Sequence, residues 1–126
     1  MSPEIISKAI KAYFAAIRAM DKQAWVHTFA EDAISYDPVG ASPTVGHQKL
    51  GEFFETITAA FKQVGLTEDE VFIAGNGAAV KWTGRGTSKQ GRDVRFEGID
   101  VFEINEAGRI QTVHAYWNPA EMVAQL

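Results

Sequence analysis

The run 92–104 alternates in character. Its even positions Val94, Phe96, Phe102 and Ile104 are apolar and carry one acid among them, Asp100, while Arg95, Glu97 and Glu103 fall on the odd positions. Side chains of a β-strand point alternately to its two faces, so Asp100 is expected to face inward with the aromatics. An ionised carboxylate without a partner is costly there and takes up a proton instead, which turns it into a hydrogen-bond donor. A second reading fits the same pattern: a carboxyl at a strand end or bulge, bonded to a backbone amide.

Two other residues could take part in proton chemistry. Tyr13 lies on the apolar face of the first helix-like segment, where a tyrosine serves either as core filler with a satisfied hydroxyl or as a donor to a ligand. Asp37 stands in Tyr36-Asp37-Pro38-Val39-Gly40, where a strand gives way to a turn. Aspartate before proline is commonly turn chemistry, and the local pattern by itself favours that reading. Singly, none of the three identifies a site.

The elements that must position them can be read from periodicity. Ile6, Ile10, Tyr13, Ile17 and Met20 recur at steps of four and three, which predicts an amphipathic helix over 2–20, capped by Ser2 with Pro3 at the first helical position. Asp21 caps a second short helix carrying Trp25, Val26 and Phe29, which Glu31-Asp32 interrupts, and a short strand over 33–37 follows. Pro38, Gly40 and Pro43 mark a loop over 38–45. A third helix over 47–64 then presents Leu50, Phe53, Phe54, Ile57 and Phe61 on one face. Strand-like runs near 67–74, 78–87, 92–104 and 109–117 are separated by Gly75-Asn76-Gly77, Gln90-Gly91 and Glu106-Ala107-Gly108, which are hairpin spacings. Helices first and an antiparallel meander afterwards predict an α+β fold, with the helices packed on one face of a curved sheet.

At 126 residues and 46% hydrophobic content, the sequence is expected to form one domain over 1–126 around one core. A net charge of −4 and a pI near 5.3 supply no basic field for phosphate backbones or anionic lipid, so neither nucleic acid nor membrane is expected as a partner. The expected ligand is small and apolar. There is no cysteine, and hence no disulfide or thiolate metal site. Phosphate-loop and dinucleotide-loop patterns are missing, as is a histidine pair at metal-ligand spacing on one helix, so neither cofactor nor metal is expected. No basic, apolar leader opens the sequence and no apolar run approaches the roughly 20 residues of a membrane span, so a cytoplasmic protein is expected.

The order Tyr13-Phe14-Ala15-Ala16, Phe29-Ala30-Glu31-Asp32-Ala33, Asp37-Pro38-Val39-Gly40 and Ile99-Asp100-Val101-Phe102 resembles bacterial ketosteroid isomerases. Gly108-Arg109-Ile110-Gln111-Thr112 through Ala115-Tyr116-Trp117 resembles the same family, and the similarity runs nearly the full length, with weaker register over 60–92. Phe-Ala-Glu-Asp-Ala and the closing strand are shared by the wider nuclear transport factor 2-like superfamily, so they bear on fold; the trio Tyr13, Asp37 and Asp100 bears on activity. The resemblance implies a cone-shaped curved antiparallel sheet with three N-terminal helices enclosing an apolar cavity.

Ketosteroid isomerase is itself a known case of pKa tuning, and the roles that follow are implied by the resemblance. Asp37 would be the general base that removes a proton alpha to a ketone and returns it at the allylic carbon. Tyr13 and a protonated Asp100 would donate hydrogen bonds to the dienolate oxygen. Trp117, Phe54, Phe102 and Val113 would line the substrate site. Where certain family members have tyrosines bonded to the active tyrosine, this chain has Phe29 and Phe54, and the polar stretch Gly84 to Gln90 would reshape the rim. The resemblance further implies a homodimer packed through the outer sheet face. Two alternatives share the fold: a SnoaL-like polyketide cyclase, for which His27, His47 and His114 become candidates, and a non-catalytic ligand-binding module.

Overall fold

The computed structural model describes residues 1–126. Helix α1 (Pro3–Arg18) starts where the Ser2 hydroxyl accepts from the Ile5 N–H, and α2 (Lys22–His27) where the Asp21 carboxylate accepts from the Ala24 N–H. Strand β1 (Phe29–Tyr36), the two-residue β2 (Thr44–Val45) and helix α3 (Gly46–Thr58) follow. Four further strands, β3 (Phe61–Ala74), β4 (Gly77–Ser88), β5 (Asp93–Ile104) and β6 (Ile110–Tyr116), lead to a short helix α4 (Pro119–Val123). The six strands form one sheet in the order β2-β1-β6-β5-β4-β3.

The α+β class holds, and four features differ in detail from the sequence reading. The sheet is mixed, because β1 runs parallel to β6. Strand β1 begins at Phe29, four residues early. Its Phe29 pairs with Ile110 and its Ile34 with Thr112, so Ala30 to Ala33 bulge opposite Gln111 alone. The Glu31-Asp32 pair that reads as a break is this bulge, pushed out to solvent. Helix α3 stops at Thr58 and not at Val64, since Phe61 and Val64, which continue its apolar spacing, are drawn into pairing with Ser88 and Gly86 of β4. Finally, α4 is a helix the periodicity does not announce: Asn118 caps it, Pro119 opens it and Met122 is buried.

The helices pack on the concave face of the sheet around one cluster of 26 buried side chains. Its fully buried members include Phe14, Phe29, Phe61, Ile10 and Leu50. Arg18 ties the end of α1 to β3, with Nη1 donating to Leu66 O at 2.9 Å and to Glu68 Oε1 at 2.6 Å. Beyond the end of β6, Gln125 takes the place of a strand neighbour, accepting from the Arg95 N–H and donating to the Arg95 carbonyl. No helix is long and apolar enough to cross a membrane.

Candidate active site

Strand β5 keeps the alternation read from its sequence. Val94, Phe96, Asp100, Phe102 and Ile104 are buried, Gly98 on the same parity is half-buried, and the odd positions from Asp93 to Glu103 are all exposed. Asp100 is 1% exposed, pairs across the sheet with Val80 and Ala115, and has no hydrogen-bond partner for either carboxyl oxygen. The backbone-amide alternative for this residue is thereby absent. Tyr13, 3% exposed, looks inward from α1, edge-on to Phe14 and Phe102 with ring centres 5.0 Å away in both cases. Asp37 follows the last residue of β1, where the chain turns at Pro38 and the Val39 N–H donates to the carbonyl of Ala115. Its Oδ1 accepts from the Trp117 indole N–H at 2.6 Å.

These three residues, far apart in sequence, line one cavity. Eleven of its fourteen lining residues are hydrophobic, contributed by all three N-terminal helices and by the sheet; they include Ile17, Trp25, Phe53, Trp82, Phe96 and Trp117. Of the four expected lining residues, Trp117 and Phe54 are in this wall. Phe102 and Val113 are displaced from the expected place: Phe102 lies behind Tyr13 and packs on its ring, and Val113 is wholly enclosed in the core. Their inward alternation is real, but a helix covers that part of the sheet, so facing inward there means facing core.

Sequence reasoning passed over Trp25, Trp82 and Phe96 as cavity residues. For Trp82 a signal existed, since Ala78, Val80 and Trp82 share the inward parity of β4. His114 lies outside, stacked on Tyr36 at 4.6 Å, while His27 and His47 face each other at 6.2 Å on the helical surface, with His47 Nε2 bonded to Phe29 O. None of the three histidines reaches the cavity.

The cavity separates its acids electrostatically. Burial raises the Asp37 carboxyl to about 6, with the Trp117 hydrogen bond working in the opposite direction. Burial also raises Asp100 well above the carboxylate range, the Asp37 charge raises it further, and the Trp82 indole opposes the shift. The Tyr13 hydroxyl is raised by burial first, then by the charges of Asp100 and Asp37, against a lowering influence from Trp25. Of the two acids only Asp37 accepts a hydrogen bond, from the neutral Trp117 indole, and only Asp37 is partly open to solvent, so it ionises first and thereby holds the proton on Asp100. Near neutral pH the cavity holds one carboxylate acceptor and two neutral O–H donors.

A curved sheet with helices over its concave face, closing on an apolar cavity that holds a few polar groups, defines a small-molecule site of the nuclear transport factor 2-like kind. The chain belongs to the SnoaL-like domain family, whose pattern residues 10–113 match. It is 30% identical over 124 residues to the steroid Delta-isomerase of Nocardioides simplex, covering 98% of this chain and 97% of that protein. The fold is shared with RV0760c of Mycobacterium tuberculosis, solved in complex with estradiol-17beta-hemisuccinate, at a TM-score of 0.82 and 24% identity over 93% of this chain and 96% of that one. It is equally shared with SalBIII, an epoxide hydrolase/cyclase-like enzyme of pyran ring formation in the polyether salinomycin, at a TM-score of 0.83 and 23% identity over 94% of each chain.

Proposed function

We propose that this protein is an isomerase that moves a carbon–carbon double bond into conjugation with a ketone, on a 3-oxo-5-ene steroid or a similar flat, apolar ketone. The observation that carries the reading is the pairing of an ionisable Asp37 with an acid, Asp100, held neutral in the same apolar wall beside the Tyr13 hydroxyl. In this reaction the Asp37 carboxylate takes the proton from the carbon between the ketone and the double bond. The electron pair left behind moves onto the carbonyl oxygen and gives a dienolate. Tyr13 and Asp100 donate to that oxygen as its charge develops, and Asp37 returns the same proton to the far carbon of the former double bond. One residue carries the proton both ways, so the chemistry calls for no cofactor. Identity to a steroid Delta-isomerase over nearly the whole chain supports the substrate class, and so does the steroid ester bound by a neighbour of the same fold.

Preorganised donors to an oxyanion are worth about 3 to 4 kcal/mol each, so Tyr13→Phe or Asp100→Leu should slow the chemical step by roughly a hundredfold or more. Conversion of a 5-ene-3-ketone steroid should appear as rising ultraviolet absorbance. Its rate should fall on acidification with a limb near pH 6, because protonating Asp37 removes the base. Asp37→Asn should abolish turnover while a product-like steroid still binds. Equal rates in that variant, or no turnover by the wild-type protein, would end this assignment. Turnover of a poly-keto aromatic substrate in place of the steroid would move the protein to the cyclase reading.

We also propose, from the family resemblance and an apolar outer sheet face, that two copies pair. Phe72, Ala79, Val101, His114 and Tyr36 form one row across five strands on that face, with Ile99 and Tyr116 paired beside it.

A further inference from the structure

Four buried side-chain polar atoms in this molecule have no hydrogen-bond partner: Trp25 Nε1, Trp82 Nε1 and the two carboxyl oxygens of Asp100. All four belong to the wall of the one cavity that also holds Tyr13. The large majority of buried side-chain polar atoms in folded proteins are paired, and an unmet donor costs on the order of 1 to 3 kcal/mol. Phenylalanine would supply most of the same apolar contact without an unmet donor, at the expense of some packed volume. Two indoles and a carboxyl left over in a single wall are therefore a set.

Local geometry says how the set divides. The Trp25 ring lies 5.8 Å from the Tyr13 ring, centre to centre, tilted by 46°. Trp82 lies opposite Gly98 on β5, two residues from Asp100 and on the same face. A Cβ at Gly98 would stand 2.6 Å from Trp82 Cζ2, so the bare glycine is what lets the indole lie across β5 beside the carboxyl. We infer that Trp25 and Trp82 are positioning residues for the proposed isomerisation, small side-chain movements closing the bonds left open in this geometry, from the Trp25 indole to the Tyr13 oxygen and from the Trp82 indole to the Asp100 carboxyl.

An accepted hydrogen bond occupies an acceptor site of each group and leaves its hydroxyl proton free to be aimed at the ligand. It also polarises that O–H into a stronger donor. The opposing influence of each indole on the raised titration of its neighbour has the same origin. This role rests on the isomerase reading, while the hydrogen bonds themselves do not.

The chain has three tryptophans and so gives three indole N–H resonances in nitrogen-15 spectra, assignable with Trp25→Phe, Trp82→Phe and Trp117→Phe. In the ligand-free protein, Tyr13→Phe should shift the Trp25 signal upfield and leave that of Trp82 in place. Asp100→Leu should do the reverse. In the steroid assay, Trp25→Phe and Trp82→Phe should each lower kcat roughly tenfold with KM unchanged, a split that mere loss of packing would not give.

Signals indifferent to loss of their partners overturn the inference, as does an unchanged kcat in both tryptophan variants. Should Asp100→Leu fail to fold, a crystal structure of the wild-type protein with 2-naphthol decides. Indole nitrogens within hydrogen-bond reach of Tyr13 and Asp100 uphold the pairing, and indole nitrogens bonded to the naphthol oxygen overturn it. Correctly shifting signals in a protein with no isomerase activity would sink the isomerase reading alone.

Discussion

Asp37 and Asp100 are the same side chain in two environments, and the difference between them is solvation and charge. Because burial raises the Asp37 carboxyl to about 6, the folded protein still holds that proton at pH values where the unfolded chain, titrating near 4, has released it. The folded state then binds more protons than the unfolded one, so stability falls as pH rises from about 4 through 6 and stays reduced above that. Asp37→Asn, which carries no charge to bury, is expected to raise Tm at pH 8 and to leave it nearly unchanged at pH 4. Thermal melts at the two pH values check this, and an equal shift at both would show that charge burial is not the cause. The proposed catalytic arrangement and the instability are then one fact: a carboxyl poised near neutrality is a charge held partly out of water.

Strand β5 shows how an element can aim chemistry. Its alternation, legible in the sequence, sends Asp100 inward with Phe96 and Phe102, and Gly98 opens the gap between them. Trp82 and Trp117 both close on that gap, with a Cβ at Gly98 standing 2.7 Å from Trp117 Cβ and 2.7 Å from the Tyr116 carbonyl. Gly98→Ala is therefore expected to push both indoles aside, destabilise the fold by about 1 to 3 kcal/mol and remove the Trp117 hydrogen bond from Asp37. Chemical denaturation measures the first effect, and the second appears as an upward move of the acid limb of the rate profile, since that bond lowers the Asp37 carboxyl. Helix α3 carries the opposite lesson. Its Phe61 continues a helical spacing from Phe54 and Ile57, yet belongs to β3, because a partner strand supplies backbone hydrogen bonds that local periodicity does not register.

Over the whole molecule, the outer face of the sheet is apolar to an extent the inner packing does not need. Phe72 is 64% exposed and Tyr116 53%, with Ile99 and Val101 between them in the pairing order. Covering this face with a second copy is the expected outcome, and sedimentation should give twice 13.8 kDa. Val101→Glu, which places a charge in the middle of the row, should return the species to 13.8 kDa without loss of helix or strand content. A wild-type monomer at micromolar concentration would remove the dimer from this picture.

The amino-acid order alone determined the α+β class, the amphipathic helix that carries Tyr13, the strand parity that turns Asp100 inward and the turn that follows Asp37. Each depends on neighbours within a few positions, where the 3.6- and 2-residue periods act. Tertiary structure alone decided that β1 runs parallel to β6, that Glu31-Asp32 forms a bulge, that Phe102 and Val113 sit behind the cavity wall, and that Trp25 and Trp82 sit in it. Those are pairings between segments tens of residues apart. Which of two inward-facing side chains meets a cavity and which meets core depends on what packs over it, and no local pattern records the far side of a contact.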